Sequence, residues 1–218
     1  MGRKYIAILL VLATISTFSN AQEYSLKGRS ALGFNFGLFS GVSSSSQSDV
    51  NFNIFGTGLT NSTMDAKTNG SIGGITFRNW VEEDLAVKLN VEYLSGQANV
   101  TVSPSDVIQR VSAVFPVLAG VDYYLLKPEP GSALRPFITG SLGLFLGTEA
   151  NNSTLNISSH TETSFGVRLG AGIDFLLSNH FIFNVNAGYN VMTNFASQVG
   201  GRNNYNGADF SIGLDYLF

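Results

Sequence analysis

The sequence predicts an all-β chain: a transmembrane, antiparallel, up-and-down β-barrel, most simply of eight strands. Three observations predict it. Bulky apolar residues alternate with small or polar ones throughout, and no stretch carries a helical period at length. Charged residues make up 12% of the 218 positions, against about 25% in soluble domains. The connections alternate between short and long, as in a meander that crosses a membrane repeatedly.

The first strand is "ALGFNFGLF", where Leu32, Phe34, Phe36 and Leu38 alternate with Gly33, Asn35 and Gly37. "GGITFRNW" sets Ile75 and Phe77 against Thr76 and Arg78. After the short "VEED" comes "LAVKLNVEYL", with Leu85, Val87, Leu89, Val91 and Tyr93 opposing Ala86, Lys88, Asn90 and Glu92. The fourth, "RVSAVFPVLAGVDYY", contains Pro116, which argues for an edge or a bulge. "PFITGSLGLFLG" is led by Ile138, Leu142, Leu144 and Leu146. In "TSFGVRLGAGIDF", Phe165, Val167, Leu169, Ile173 and Phe175 oppose Gly166, Arg168, Gly170, Gly172 and Asp174. The seventh, "FIFNVNAGYNV", and the last, "ADFSIGLDYLF", repeat the pattern. Between them, residues 81–84, 126–135 and 178–180 are short connections. Residues 43–70, 96–106, 148–161 and 193–207 are long and rich in Ser, Asn, Thr and Gly. Alternation at Val50, Phe52, Ile54, Leu155 and Ile157 suggests strands that continue beyond a membrane, and leaves room for an extra hairpin.

The N-terminus reads differently. Gly2-Arg3-Lys4 is a basic start, Tyr5 to Ala13 is apolar, and Ser19-Asn20-Ala21 is a small-residue cleavage site. This is the layout of a secretory signal peptide over residues 1–21, leaving residues 22–218 as one barrel domain. The run is too short for a spanning helix, which needs about 20 apolar residues. Without any cysteine, neither a lipidated N-terminal Cys nor a disulfide framework is available.

Volume decides which face is outside. A soluble barrel would crowd the large apolar side chains into an interior that eight strands barely open. Its outer surface would be Gly, Asn and Ser with few charges. The inverted arrangement turns the bulky face to lipid and pairs every backbone group within the closed sheet. Tyr93, Tyr123, Phe175, Phe181, Tyr189 and Tyr216 then fall near strand ends as interfacial girdles.

In its alternating strands and its terminal aromatic stripe, the chain resembles the small outer-membrane β-barrel proteins of Gram-negative bacteria, of the OmpA/OmpX type. The last strand carries the most specific likeness: Phe210, Ile212, Leu214, Tyr216 and Phe218 share one parity, and Phe218 is terminal. The resemblance implies an outer-membrane location among lipid and lipopolysaccharide, and recognition of this strand by the barrel assembly machinery. It brings no catalytic motif, cofactor or metal site with it.

The inward parity gathers Arg78, Lys88, Glu92, Asp122, Arg168, Asp174 and Asp215. Charges confined in a narrow lumen are expected to pair, because an unpaired buried charge is costly. The expectation is a polar plug with a structural or surface-interaction role, the four long loops meeting an extracellular partner. The alternative is a narrow porin-like channel for ions or very small solutes. A lipid-modifying enzyme is a minor alternative resting on His160, beside Ser158, Ser159 and Glu162; His180 lies at the opposite end. The mildly acidic balance excludes a nucleic-acid surface, and Asp49, Asp65, Glu149 and Glu162 are too scattered for calcium.

Overall fold

The computed structural model describes residues 25–41, 62–66, 70–94, 98–103, 106–126, 133–153 and 156–218. Side chains are described for 25–41, 70–94, 112–126, 133–150 and 159–218. The predicted signal segment, the alternation at Val50, Phe52, Ile54 and Leu155, and most of the first long loop lie outside these residues.

The strands are β1 (Ser30–Gly41), β2 (Ser62–Ala66), β3 (Ser71–Glu82), β4 (Leu85–Leu94), β5 (Ala98–Ser103), β6 (Asp106–Tyr124), β7 (Leu134–Ser153), β8 (Asn156–Leu176), β9 (Phe181–Met192) and β10 (Gly207–Leu217). Neighbours run β6-β4-β3-β1-β10-β9-β8-β7, and β7 pairs back onto β6. The result is a closed, all-antiparallel barrel of eight staves. Every predicted strand is one of these staves. The closing seam joins β1 to β10 from Ala31↔Leu217 to Gly41↔Gly207. Beyond that ladder, the N–H of Ser30 donates to the carbonyl of Phe218 and the N–H of Phe218 to that of Ser30.

The two extra strands lie above the barrel rather than within it. β5 follows β4 along the same neighbour, β6, with Leu94↔Val114 giving way to Ala98↔Val111. β2 pairs with β5 in turn. The long loop expected at 148–161 is instead mostly strand. β7 and β8 stay paired to a tight end at Ser153↔Asn156, whereas β9 stops pairing with β8 at Gly166↔Met192. Strands β2, β5, β6, β7 and β8 thus extend as an open sheet past the barrel rim. Among the described residues nothing pairs with the outer side of Asn156–Ser164.

Pro116 occupies neither an edge nor a bulge. It pairs with Phe145 on one side. On the other, the β4–β6 ladder lapses between Val91↔Val117 and Leu94↔Val114 and resumes in the same register. A proline has no N–H to donate, and here the sheet skips the bond instead of bending. The irregularity falls instead between Trp80 and Glu82, at the tight β3–β4 turn.

Apolar side chains cover the outer wall. Phe34, Phe36 and Leu38 on β1, Leu142 on β7, Leu169 on β8 and Phe210 on β10 are each at least half exposed. The expected girdle residues Tyr93, Tyr123, Phe181, Tyr189 and Tyr216 also point outward. A wall of this kind requires a lipid neighbour, because soluble proteins rarely expose contiguous apolar area on this scale.

Candidate functional site

The inward parity changes character along each stave. On β4 it reads Ala86, Lys88, Asn90, Glu92, Leu94; on β3, Trp80, Arg78, Thr76, Gly74, Ile72. Apolar residues sit at both ends and polar ones in the middle. The lumen is accordingly built in three layers. At the end holding Ser30 and Phe218, Leu26, Ala31, Trp80, Ala86, Tyr124, Phe137, Ile182 and Leu217 form one apolar cluster. At the loop end, Phe39, Ile72, Leu94, Val114, Leu118, Phe145, Met192, Phe195, Val199 and Tyr205 form another. Neither apolar layer follows from the expected lumen of glycines, short polar residues and a few charges.

Between them lies the charge cluster. All seven predicted residues meet there. Arg78 Nη1 donates to both oxygens of Asp174, at 3.1 and 2.9 Å. The same guanidinium lies 3.3 Å from Asp122 and 3.3 Å from Asp215. Arg78 and Lys88 face each other directly across β3 and β4, a like-charge pair that would repel if left alone. Asp122 relieves it, one oxygen 2.7 Å from Lys88 Nζ and the other near Arg78 Nε. Higher up, Arg168 Nη1 donates to both oxygens of Glu92 at 2.8 Å, and its Nη2 to Asp209. Asn184 donates to Asp215 at 2.9 Å and Asn190 to Asp209 at 3.0 Å.

Asp209 and Arg135 were not singled out from the sequence. Asp209 sits on the polar parity of the last strand, so alternation alone could have found it. Arg135 precedes the predicted start of its strand; it lies over the Tyr124 ring, 4.3 Å from the centroid, and donates to the carbonyl of Glu83. Tyr124 in turn donates its hydroxyl to Asp174 at 2.7 Å, joining the lower apolar layer to the ions. Glycine supplies the room for this crowding. A Cβ at Gly33 would overlap the Asp215 carboxylate, so the bare backbone there is what admits the acid. Among the described residues, a polar cavity of about 20 Å³ lies in this layer, on the scale of one water molecule.

Each end is closed by a chain segment. Below, residues 25–29 fold under the barrel and bury Leu26 completely. Gly28 takes φ 80° to make that turn, its N–H donating to Trp80 O at 2.7 Å, a backbone state costly for residues with a Cβ. Leu26 N–H donates to Glu83, and Lys27 lies 2.6 Å from Glu82; that carboxylate pushes the Lys27 pKa up. Above, residues 193–206 dip into the mouth and bury Phe195, Val199 and Tyr205. Burial raises the Tyr205 pKa, and its hydroxyl donates to Val199 O at 2.9 Å. Glu149 accepts from the Gly200 N–H at 2.9 Å. Glu162 accepts from Ser197 and from the Ala196 backbone, and its bond with His160 is the main reason its pKa is lowered.

The enzymatic candidates take other places. His160 is exposed and contacts Glu162 on its own strand, and Ser159 is exposed. The Ser158 side chain lies outside the described residues. His180, at the opposite end, stacks on Tyr216 with ring centroids 6.0 Å apart.

The architecture is met in known proteins. The model of the outer membrane protein beta-barrel domain matches residues 7–218. The chain belongs to that family. Solved structures of the attachment invasion locus protein Ail of Yersinia pestis share the fold: one has TM-score 0.50 at 14% identity, covering 88% of this chain and 99% of Ail. Another, in complex with the heparin analogue sucrose octasulfate, has TM-score 0.53 at the same identity and coverage. OprG of Pseudomonas aeruginosa matches with TM-score 0.50 at 16% identity, over 90% of this chain and 98% of its own. No curated protein matches the sequence. Membership in the outer membrane protein beta-barrel family points to the outer membrane of a Gram-negative bacterium, and it agrees with the lipid-facing wall.

Proposed function

We propose that the protein is a non-conducting, non-enzymatic surface barrel whose lumen is a structural core and whose outer sheet recognises an extracellular partner. The three-layer lumen carries this proposal. A conducting path needs continuous water, and here an ionic layer crossed by bidentate bridges lies between two apolar layers. The porin-like alternative would require both apolar layers to part. The open sheet supports the recognition half. Among the described residues no strand pairs with the outer side of β8 along Asn156–Ser164, and free edges accept added strands.

In the same proposal, lipid and lipopolysaccharide surround the apolar wall. The stripe Phe210, Ile212, Leu214, Tyr216 and Phe218, outward-facing on β10 and the residue after it, is the assembly signal. Cells displaying the full chain should adhere to a partner surface. Cells displaying a chain whose β7–β8 hairpin is cut back to the rim, with the barrel intact, should not. Equal adhesion by both would end the recognition proposal.

A further inference from the structure

Building on the surface-recognition reading above, we propose that the partner of the outer sheet is a second copy of this chain. The two β8 strands pair antiparallel along Ile157–Thr163, centred on His160. Three observations carry this: the direction of the free backbone groups, the length of the free edge, and its charges.

The N–H of Thr193 donates to Phe165 O at 2.8 Å, and the N–H of Phe165 points the same way, to Thr193 Oγ1 at 3.3 Å. β7 and β8 keep one register from Leu134↔Phe175 to Ser153↔Asn156. In an antiparallel pair, successive residues turn their N–H and C=O to opposite sides of the strand. Ile157, Ser159, Thr161 and Thr163 therefore direct theirs away from β7, to the side where no described strand lies.

The free edge is bounded below at Phe165, where Thr193 takes the neighbouring place, and above by the end of the β7–β8 hairpin. Two identical edges centred on His160 set Ile157 against Thr163 of the second copy, and Ser159 against Thr161. All four outward-directed residues of each copy then fall in hydrogen-bonded pairs. A centre at Thr161 would drive Ile157 into the place beside Phe165 that Thr193 fills. A centre at Ser159 would leave Thr163 beyond the start of the partner strand. Only the centre at His160 uses the whole edge without a clash.

His160 and Glu162 share one face of β8 and contact each other. In this register Glu162 lies diagonal to His160 of the second copy, within reach of it, and no acid faces an acid. On the other face the exposed Ser159 meets the exposed Thr161, a hydroxyl pair that can hydrogen-bond across strands. Copies in one membrane carry β8 downward at the same tilt of about 35–45°, so they cannot run antiparallel. The pairing joins barrels of opposing membranes, with roughly 25 Å between their rims.

The test reconstitutes the full chain at one barrel per lipid nanodisc, which leaves both membrane faces accessible. Sedimentation should show discs pairing as concentration rises. Thr161→Pro removes an N–H that the barrel does not use, so it should keep the folded gel mobility and lose the pairing. The chain has no cysteine, so His160→Cys should give a disulfide-linked dimer under mild oxidation. Lys27→Cys, at the opposite end, should not. Should Thr161→Pro fail to fold, the two cysteine variants decide. Discs that stay single, pairing unchanged in Thr161→Pro, or equal cross-linking from Lys27→Cys would each overturn the proposal. Slow amide exchange at Ser159, Thr161 and Thr163 in single discs would also overturn it, because another segment of the same chain would then cover the edge. If discs stay single while displaying cells still adhere through the β7–β8 hairpin, self-pairing falls and surface recognition stands. If cells with the trimmed hairpin adhere equally, recognition falls as well.

Discussion

Arg78 on β3 holds Asp174 on β8 from the opposite wall of the barrel, four staves away in either direction. A bridge across the full diameter makes the lumen a core, with the polar network taking the place that a hydrophobic centre has in a soluble domain. Removing Arg78 leaves Asp122, Asp174 and Asp215 without their shared partner. Arg78→Met should cost about 3–5 kcal/mol, as losing one member of a buried ion network does. Urea unfolding of the refolded barrel checks this. In the double variant with Asp174→Asn the loss should be smaller than the sum of the two single losses.

Gly33→Ala tests the same layer by sterics alone. The added methyl collides with the Asp215 carboxylate, so this small substitution should destabilise more than Ala replacements on the lipid face. Gly33→Ala with Asp215→Ser should recover part of the loss, read from the same unfolding curves.

Leu26 seals the terminal end of the lumen, and its burial is complete. Leu26→Ala should lower stability by about 2–4 kcal/mol and speed hydrogen exchange of the Gly28 amide, which bonds to Trp80 O. Lys27→Ala, at an exposed ion pair, should change little. Unchanged exchange in Leu26→Ala would mean that the segment is not a seal.

The upper segment, 193–206, is held by two carboxylates, Glu149 and Glu162. His160 depresses the Glu162 pKa, so the hold that Glu162 supplies is fully present above the ordinary carboxylate pKa. It is lost as pH falls through the depressed value. Protection of amides 195–200 against exchange, taken relative to the intrinsic rate at each pH, should therefore be constant near neutrality and fall only in strong acid, below about pH 4. Glu162→Gln should raise exchange of Ala196 and Ser197 at neutral pH, and His160→Ala should move the acid transition upward.

The strands were legible in the sequence because a lipid-facing wall imposes bulk on every second residue, and that period survives at Phe34, Leu89 and Leu144 alike. The lumen charges followed from the other parity, so Arg78, Asp122 and Arg168 came with it. Trp80, Tyr124 and Phe137 share that inward parity, yet bulk alone reads as a lipid-facing mark. Only the pairing register shows that they meet in a lower layer. Register also supplied the Arg78↔Lys88 juxtaposition, which no single strand discloses. At 148–161 the polar composition suggested a long loop, while the alternation reaching Ile157 pointed to strand beyond the membrane, and β7 and β8 do pair there.

Planar-bilayer recording of the refolded, purified barrel tests the central claim most directly. A lumen packed in three layers should give a silent membrane, with no single-channel steps across the physiological voltage range. Stable steps from the wild-type chain, altered in size by Arg168→Ala or Asp122→Asn, would contradict the claim and make the charge layer a conducting path.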